Sequence, residues 1–229
     1  MPVDFDRQGP WRELWPQAVD LMNHLERVTE NPPWTFGGGT VLMLRHDHRF
    51  SKDIDLFVPD PQYLGHVNPR LGGYAEGLTS EYEEAAQYIK LQFAAGEIDV
   101  VVGEPLTSPS FEVALFNGRE IRVETSAEII AKKMWHRGDQ AKARDLFDLC
   151  AVAHFEPEAF EAAQPFMVRH AAAFLQRLDA RADVLEREFG LIEARSFKMP
   201  FWECLAIAHT LLDPLVPRDN EAPATEKPC

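Results

Sequence analysis

The chain of 229 residues is long enough to bury a sizeable core in one or two domains, and 45% hydrophobic with 26% charged residues is the balance of a globular protein in water. No apolar run could span a bilayer, and the acidic start (Met1-Pro2-Val3-Asp4-Phe5-Asp6) lacks a signal-peptide layout, so a cytoplasmic protein with no membrane partner is expected. The net charge of −14 argues against a protein that coats nucleic acid non-specifically, because phosphate contacts need a basic surface.

In chain order, residues 14–28 carry apolar side chains at helical spacing and predict a helix, ended by Pro32 and Pro33. Residues 34–36 fit a short strand, Gly37, Gly38 and Gly39 a turn, and residues 40–45 a short helix. Residues 54–58 read as a buried strand stopped by Pro59. Residues 61–77, rich in Gly, Pro and Asn, predict a loop, and residues 80–86 a helical turn. Strands follow at 88–94, 98–102, 111–116 and 121–123, with hairpin signals at Gly96-Glu97 and Asn117-Gly118. Thr125 or Ser126 caps a helix that runs to Arg137, with Glu128 in its first turn. Helices are predicted at 140–154, 157–178, 180–189 and 200–212, before a tail rich in proline and charge.

The fold class this predicts is α+β: a mixed β-sheet core flanked by helices, then a C-terminal helical bundle. The expected divisions are residues 1–124, residues 125–213 and a disordered tail at 214–229. The cysteines, Cys150, Cys204 and Cys229, are far apart and form no CxxC pair, so neither a disulfide framework nor a zinc site is expected.

Chemistry concentrates in Phe36-Gly37-Gly38-Gly39-Thr40 and in Ser51-Lys52-Asp53-Ile54-Asp55. Residues two apart on a strand point to one side, so Asp53 and Asp55 aim both carboxylates at one point while Ile54 faces the core. Two carboxylates so placed repel unless a cation lies between them, and hard oxygen donors suit Mg²⁺ or Mn²⁺. Asp99, on another predicted strand, supplies a third carboxylate for a two-metal site, which activates an attacking oxygen and stabilises a leaving pyrophosphate. Gly38 and Gly39 let the backbone approach a ligand, the N–H groups of the helix start can hold phosphate, and Thr40 adds a hydroxyl. A DxD pair or a GGG by itself is a common loop feature. Both in this order, a short helix apart, point to one cleft.

The stretch GGGTVLMLRHDHRFSKDIDLFV resembles the AbiEii family of nucleotidyltransferase toxins, within the polymerase-β-like superfamily, whose members show a GG(T/S) turn, a short helix and R-x-S-x-DID. Glu128-Ile129-Ile130-Ala131-Lys132-Lys133 and Ala143-Arg144-Asp145-Leu146-Phe147-Asp148-Leu149 resemble that family's E-x-(L/I)-x-A-x-K and R-D-L-x-D-L segments. The resemblance implies that Asp53, Asp55 and Asp99 hold metal, that Lys133 contacts nucleotide phosphates, and that Asp145 sits near the nucleotide or acts as base. Ser51 matches the serine before the aspartate pair. Lys132 adjoins Lys133, and helix neighbours point about 100° apart, so only one of them should face the site. Asp145, Arg144 and Asp148 have a competing reading as a local salt-bridge set, and Arg49 either holds phosphate or pairs with an aspartate.

The expected activity is transfer of a nucleoside monophosphate from an NTP to an acceptor hydroxyl. The resemblance implies the tRNA 3′ end as acceptor, in the toxin of a toxin–antitoxin pair with a cognate antitoxin as partner. Alternatives are a small acceptor such as an aminoglycoside, or a non-catalytic nucleotide-binding module. His46-Asp47-His48 raises a further alternative, an HD-type phosphohydrolase, which would need additional clustered histidines.

Overall fold

Alternation decides the sheet. In β2 (Ile54–Val58), Ile54, Leu56 and Val58 are buried, while Asp55 and Phe57 turn to the opposite face. The same period runs through β4 (Tyr88–Phe93) and β5 (Gly96–Val102), which bury Ile89, Leu91, Ile98 and Val100. The chain, as a computed structural model, describes residues 1–30 and 33–217. Among the described residues, β1 (Thr35–Gly37), β3 (Tyr82–Ala85), β6 (Phe111–Phe116) and β7 (Arg119–Glu124) complete a seven-stranded sheet of order β3-β4-β5-β2-β1-β7-β6. It is mixed: β1–β7 and β2–β5 are parallel and the other pairs antiparallel.

Helix α1 (Trp11–Val28) covers the apolar face. Its buried Trp11, Leu14, Trp15, Ala18, Leu21, Met22 and Leu25 recur every three or four residues, and Trp15 meets Phe36 of β1 at 5.1 Å between ring centres. It begins at Trp11, earlier than its apolar spacing indicated. Pro32, expected to help end it, lies outside the described residues, as do residues 218–229 with Cys229. Helix α2 (Gly38–His46) already contains Gly38 and Gly39, so the predicted turn is a helix start. Its C-cap, Asp47, is left-handed at φ 53°, and the Asp47 carboxylate receives Arg195.

Helix α3 (Ser126–Arg137) starts where Thr125 accepts from the N–H of Glu128, as the sequence predicted. Then come a 3₁₀ turn at Gly138–Gln140, α4 (Ala143–Phe155), α5 (Pro157–Met167), α6 (Ala171–Ala180), α7 (Ala182–Phe189) and α8 (Phe201–Leu212). The α+β architecture matches the sequence expectation, with three local corrections. Residues 80–86 are not helical: β3 is an edge strand, and its hydrogen bonds from β4 outweigh a composition that carries no apolar alternation. The helix expected at 157–178 breaks between Met167 and Ala171, where the His170 N–H bonds back to Met167 in a turn. The loop at 61–77 contains 3₁₀ turns at Pro61–His66, Pro69–Leu71 and Ala75–Gly77. The Asn117-Gly118 signal is a true hairpin, both residues at positive φ (51° and 78°).

One buried group joins the sheet half to the helices. Asp148 on α4 is 0% exposed and accepts from Arg49 Nε (2.6 Å) and Nη2 (2.9 Å), His48 Nε2 (2.8 Å) and Lys133 Nζ (2.7 Å). Burial alone would raise its pKa. The charges of Arg49 and Lys133, with hydrogen bonds from His48 and Arg49, hold it well below the usual aspartate value. Residues 47–50 are also held on their outer side, where the Arg195 and Ser196 N–H groups donate to the His48 and Asp47 carbonyls and the Phe50 N–H donates to Glu193.

Removing the anion leaves three buried donors without it, so Asp148→Asn should destabilise the fold by about 3–5 kcal/mol in urea denaturation. Its folded pKa is depressed, so the wild-type advantage should be complete above the ordinary aspartate value of 3.8 and shrink as pH falls through the lower folded value. A deficit that persists unchanged into strong acid would contradict this account.

Candidate active site

Strand pairing brings two of the sequence-predicted acids, Asp55 and Asp99, together. β2 and β5 run parallel with Asp55 opposite Asp99, and β1 lies on the other side of β2 with Gly37 opposite Asp55. Asp53 precedes β2 and accepts from the Glu97 N–H at 3.1 Å, which ties it to the start of β5. The Asp55 carboxyl has its pKa raised, by burial first and by Asp53, against the opposing charges of Lys133 and Arg137. Asp99 is pushed up to about 7, by burial and then by Asp55, with Lys90 opposing. These three carboxylates thus feel one another.

The glycines are dictated by this crowding. Gly38 has φ +71°, and a Cβ there would overlap the Asp55 carboxylate. A Cβ on Gly39 would come within 2.6 Å of Arg49 Nη2. Thr40 is fully buried, and its hydroxyl bonds Ser51 Oγ at 3.0 Å and also reaches the Asp53 carbonyl. Thr40 and Ser51 therefore fix the loop that carries Asp53.

Helix α3 separates the two lysines. Lys133 Nζ lies between Asp145 Oδ1 (2.9 Å) and Asp148 Oδ2 (2.7 Å), on the side of Asp55. Lys132 Nζ instead lies against Glu124 Oε1 (2.5 Å) and Glu128 Oε1 (3.3 Å), over the Phe57 ring at 4.2 Å. Arg49, left open between phosphate and an aspartate, makes a two-pronged pair with Asp148. Asp145 receives both Lys133 and Arg137 (2.7 Å), whose charges outweigh burial and lower its pKa.

Two cations near the acids escaped the sequence reading of site residues. Lys90 lies opposite Asp99 across β4–β5 and pairs with Glu97 (3.0 Å) and Asp99 (3.6 Å). Its signal was strand parity, visible once β4 and β5 form a hairpin. Arg137 stands four residues after Lys133, on the same helix face. A cleft of about 600 Å³ opens beside this group, lined by Ser51, Lys52, Asp53, Lys142 and Arg144, with Glu188 and Glu193 on the helical side. His46-Asp47-His48 builds structure instead of a second centre: His46 meets Ser126 Oγ at 3.1 Å and stacks on Phe155, and His48 is spent on Asp148.

The sequence pattern of the family described as "Nucleotidyl transferase AbiEii toxin, Type IV TA system" matches residues 20–212. The chain belongs to the AbiEii family. It is therefore a nucleotidyltransferase toxin of the type IV toxin–antitoxin class. Among solved structures it is similar to a putative nucleotidyltransferase from H. pylori, at 16% identity and TM-score 0.44 over 87% of this chain and 93% of that one. It is also similar to an antigenic nucleotidyltransferase-like protein from Paracoccidioides brasiliensis, at 14% identity and TM-score 0.38 over 81% and 94%. No curated protein matches it. No described helix is long and apolar enough to cross a membrane.

Nucleotidyltransferase chemistry implies a divalent cation, and the residues of this AbiEii chain fit one. Asp99 Oδ1 is buried with no hydrogen-bond partner, and the donor set is wholly hard oxygen. Among the described residues, no three His, Cys, Asp or Glu side chains close around one point.

Gly38→Ala should cost at least about 1–2 kcal/mol from the left-handed backbone alone and displace Asp55 as well. Denaturation should show the stability loss, and Mn²⁺ titration should show weakened binding. A variant that binds Mn²⁺ as wild type does would contradict the crowding argument.

Proposed function

We propose that this chain transfers a nucleoside monophosphate from an NTP to an acceptor hydroxyl, with Asp53, Asp55 and Asp99 holding Mg²⁺ or Mn²⁺. The observation that carries the reading is the strand register that sets Asp55 beside Asp99, with Asp53 at the mouth of a cleft rimmed by Lys52, Lys142 and Arg144. The cation, when bound, lowers the pKa of the attacking hydroxyl and neutralises charge on the departing pyrophosphate. The α2 start at Gly38, Gly39 and Thr40 directs backbone N–H groups and the helix dipole at phosphate oxygens. Lys133, together with Arg137, supplies positive charge to the phosphates. Asp145 sets the position of both cations, and Arg49 and Ser51 hold the Asp53 loop. Lys132, held by Glu124 and Glu128, has no part in this reading.

The tRNA 3′ end is the acceptor this reading favours, and it rests on the family together with the basic rim, which offers phosphate contacts on an otherwise acidic body. A cognate antitoxin is the implied protein partner, and the cytoplasm the implied location. Glu188 and Glu193 across the cleft favour a second reading, in which a polycationic small acceptor such as an aminoglycoside is modified.

With labelled NTPs, Mg²⁺ and total tRNA, wild type should label RNA, and Asp55→Ala should lose at least about 10³-fold of the rate, a loss of about 4 kcal/mol. Label on an aminoglycoside but not on tRNA would select the second reading, and an active Asp55→Ala protein would overturn the mechanism. Because burial and Asp55 push the Asp99 carboxyl up to about 7, a cation bound there competes with its proton. Mn²⁺ affinity should therefore rise between about pH 6 and about pH 8, with proton release detected by calorimetry in two buffers. Flat affinity across that range would count against Asp99 as a ligand.

A further inference from the structure

One cation stands in the same cross-strand row as the acids. Strand pairing sets Glu83 on β3 opposite Lys90 on β4, Lys90 opposite Asp99 on β5, and Asp99 opposite Asp55 on β2. Residues directly opposite each other in a sheet point to one face, so these four side chains form a row of charge: acid, base, acid, acid. The Lys90 ammonium meets Glu97 Oε2 at 3.0 Å and Asp99 Oδ2 at 3.6 Å. The other oxygen of Asp99, Oδ1, is buried and has no hydrogen-bond partner.

Lys90 differs from the other cations near the acids. Lys133 and Arg137 rest on Asp145, and Lys133 also on Asp148, both on α4. Lys90 rests instead on carboxylates of its own hairpin, one of which is a proposed metal ligand. Burial opposes its charge, but its hydrogen bond to Glu97 and the charges of Asp99, Glu97 and Glu83 raise its pKa, so it stays an ammonium. The approach to Asp99 is longer than an ordinary hydrogen bond, whereas that to Glu97 is within the normal range. A compact ammonium on a flexible four-carbon stem can therefore give up Asp99 and stay paired. Glu97 is itself anchored, because its N–H donates to Asp53 Oδ1 at 3.1 Å.

We propose that Lys90 is the resident counter-ion of Asp99. It neutralises that carboxylate while no divalent cation is bound, and it withdraws onto Glu97 when a divalent cation takes Asp99. Lys90 acts through Asp99, which makes it a positioning residue. One charge then has two opposite effects. Without a divalent cation, Lys90 offsets the repulsion among Asp53, Asp55 and Asp99 and so favours the fold. Against a divalent cation, it competes for the same carboxylate and weakens binding. This role rests on the reading that Asp53, Asp55 and Asp99 hold the cation.

The test compares the full-length wild type, Lys90→Met and Lys90→Arg in EDTA and in Mn²⁺, at about pH 8.5 so that the Asp99 proton competes little. Lys90 is 26% exposed, so neither variant opens a cavity, and far-UV circular dichroism checks the fold. In EDTA, Lys90→Met should melt at least about 2 °C below wild type. Saturating Mn²⁺ should close that gap. By calorimetry, Lys90→Met should bind Mn²⁺ at least about fivefold more tightly than wild type, because a positive charge beside the ligand is gone. Lys90→Arg, which keeps the charge, should follow wild type in both measurements. An unchanged melting temperature in EDTA, an equal loss in EDTA and in Mn²⁺, or Mn²⁺ affinity that is unchanged or weaker in Lys90→Met would each overturn the counter-ion role. In those cases the metal reading still stands if wild type binds Mn²⁺ more tightly than Asp99→Asn does. Equal affinity of wild type and Asp99→Asn, or no binding by either, would remove the metal reading and the role of Lys90 together.

Discussion

The molecule depends on one buried anion. Asp148 lies at the junction of three segments that are far apart in sequence: the loop leading to the aspartate pair, helix α3 and helix α4. A carboxylate removed from water is tolerable only when its lone pairs are filled, and here Arg49, His48 and Lys133 fill them. The consequence is positional. Arg49 and His48 cannot leave Asp148 without exposing buried charge, so the chain that follows them, Ser51 to Asp55, starts from a fixed point. Lys133 is fixed by the same anion and is thereby held near Asp55.

Beyond that anchor, the sheet performs a separation of faces. One face is apolar and closed by α1. The other bears Gly37 and Phe57 together with Asp55, Asp99 and Lys90, whose charges need partners once removed from water. Several of the partners come from α3. Lys133 and Arg137 serve the acidic end, and Lys132 serves Glu124 and Glu128 near Phe57. A single helix thus supplies cations to two regions through side chains that its rotation points apart.

Several charges on this face are already internally paired. Lys133, Arg49 and Arg137 all rest on aspartates instead of standing as free cations. Lys142 and Arg144, which line the cleft, are the cations better placed to make first contact from solvent.

The sequence by itself determined what local periodicity and turn chemistry encode. Alternation in β2 put Asp55 on the face away from Ile54, the Asn117-Gly118 pair marked its hairpin, and Thr125 or Ser126 announced the start of α3. The glycine turn, the aspartate pair and the later lysine and arginine–aspartate segments were enough to suggest the family. What tertiary structure alone decided was every partnership across long sequence separation. Asp99 became Asp55's neighbour through strand register, Arg49 took Asp148 instead of open solvent, and Lys133 parted from Lys132 because the packed rotation of α3 turned one toward Asp145 and Asp148 and the other toward Glu124. β3 formed because β4 offered it an edge. Periodicity is a property of neighbouring residues and can be read along a chain. Register, helix rotation and the filling of a buried carboxylate depend on which distant segments share the low-dielectric interior, and only the packed molecule specifies that.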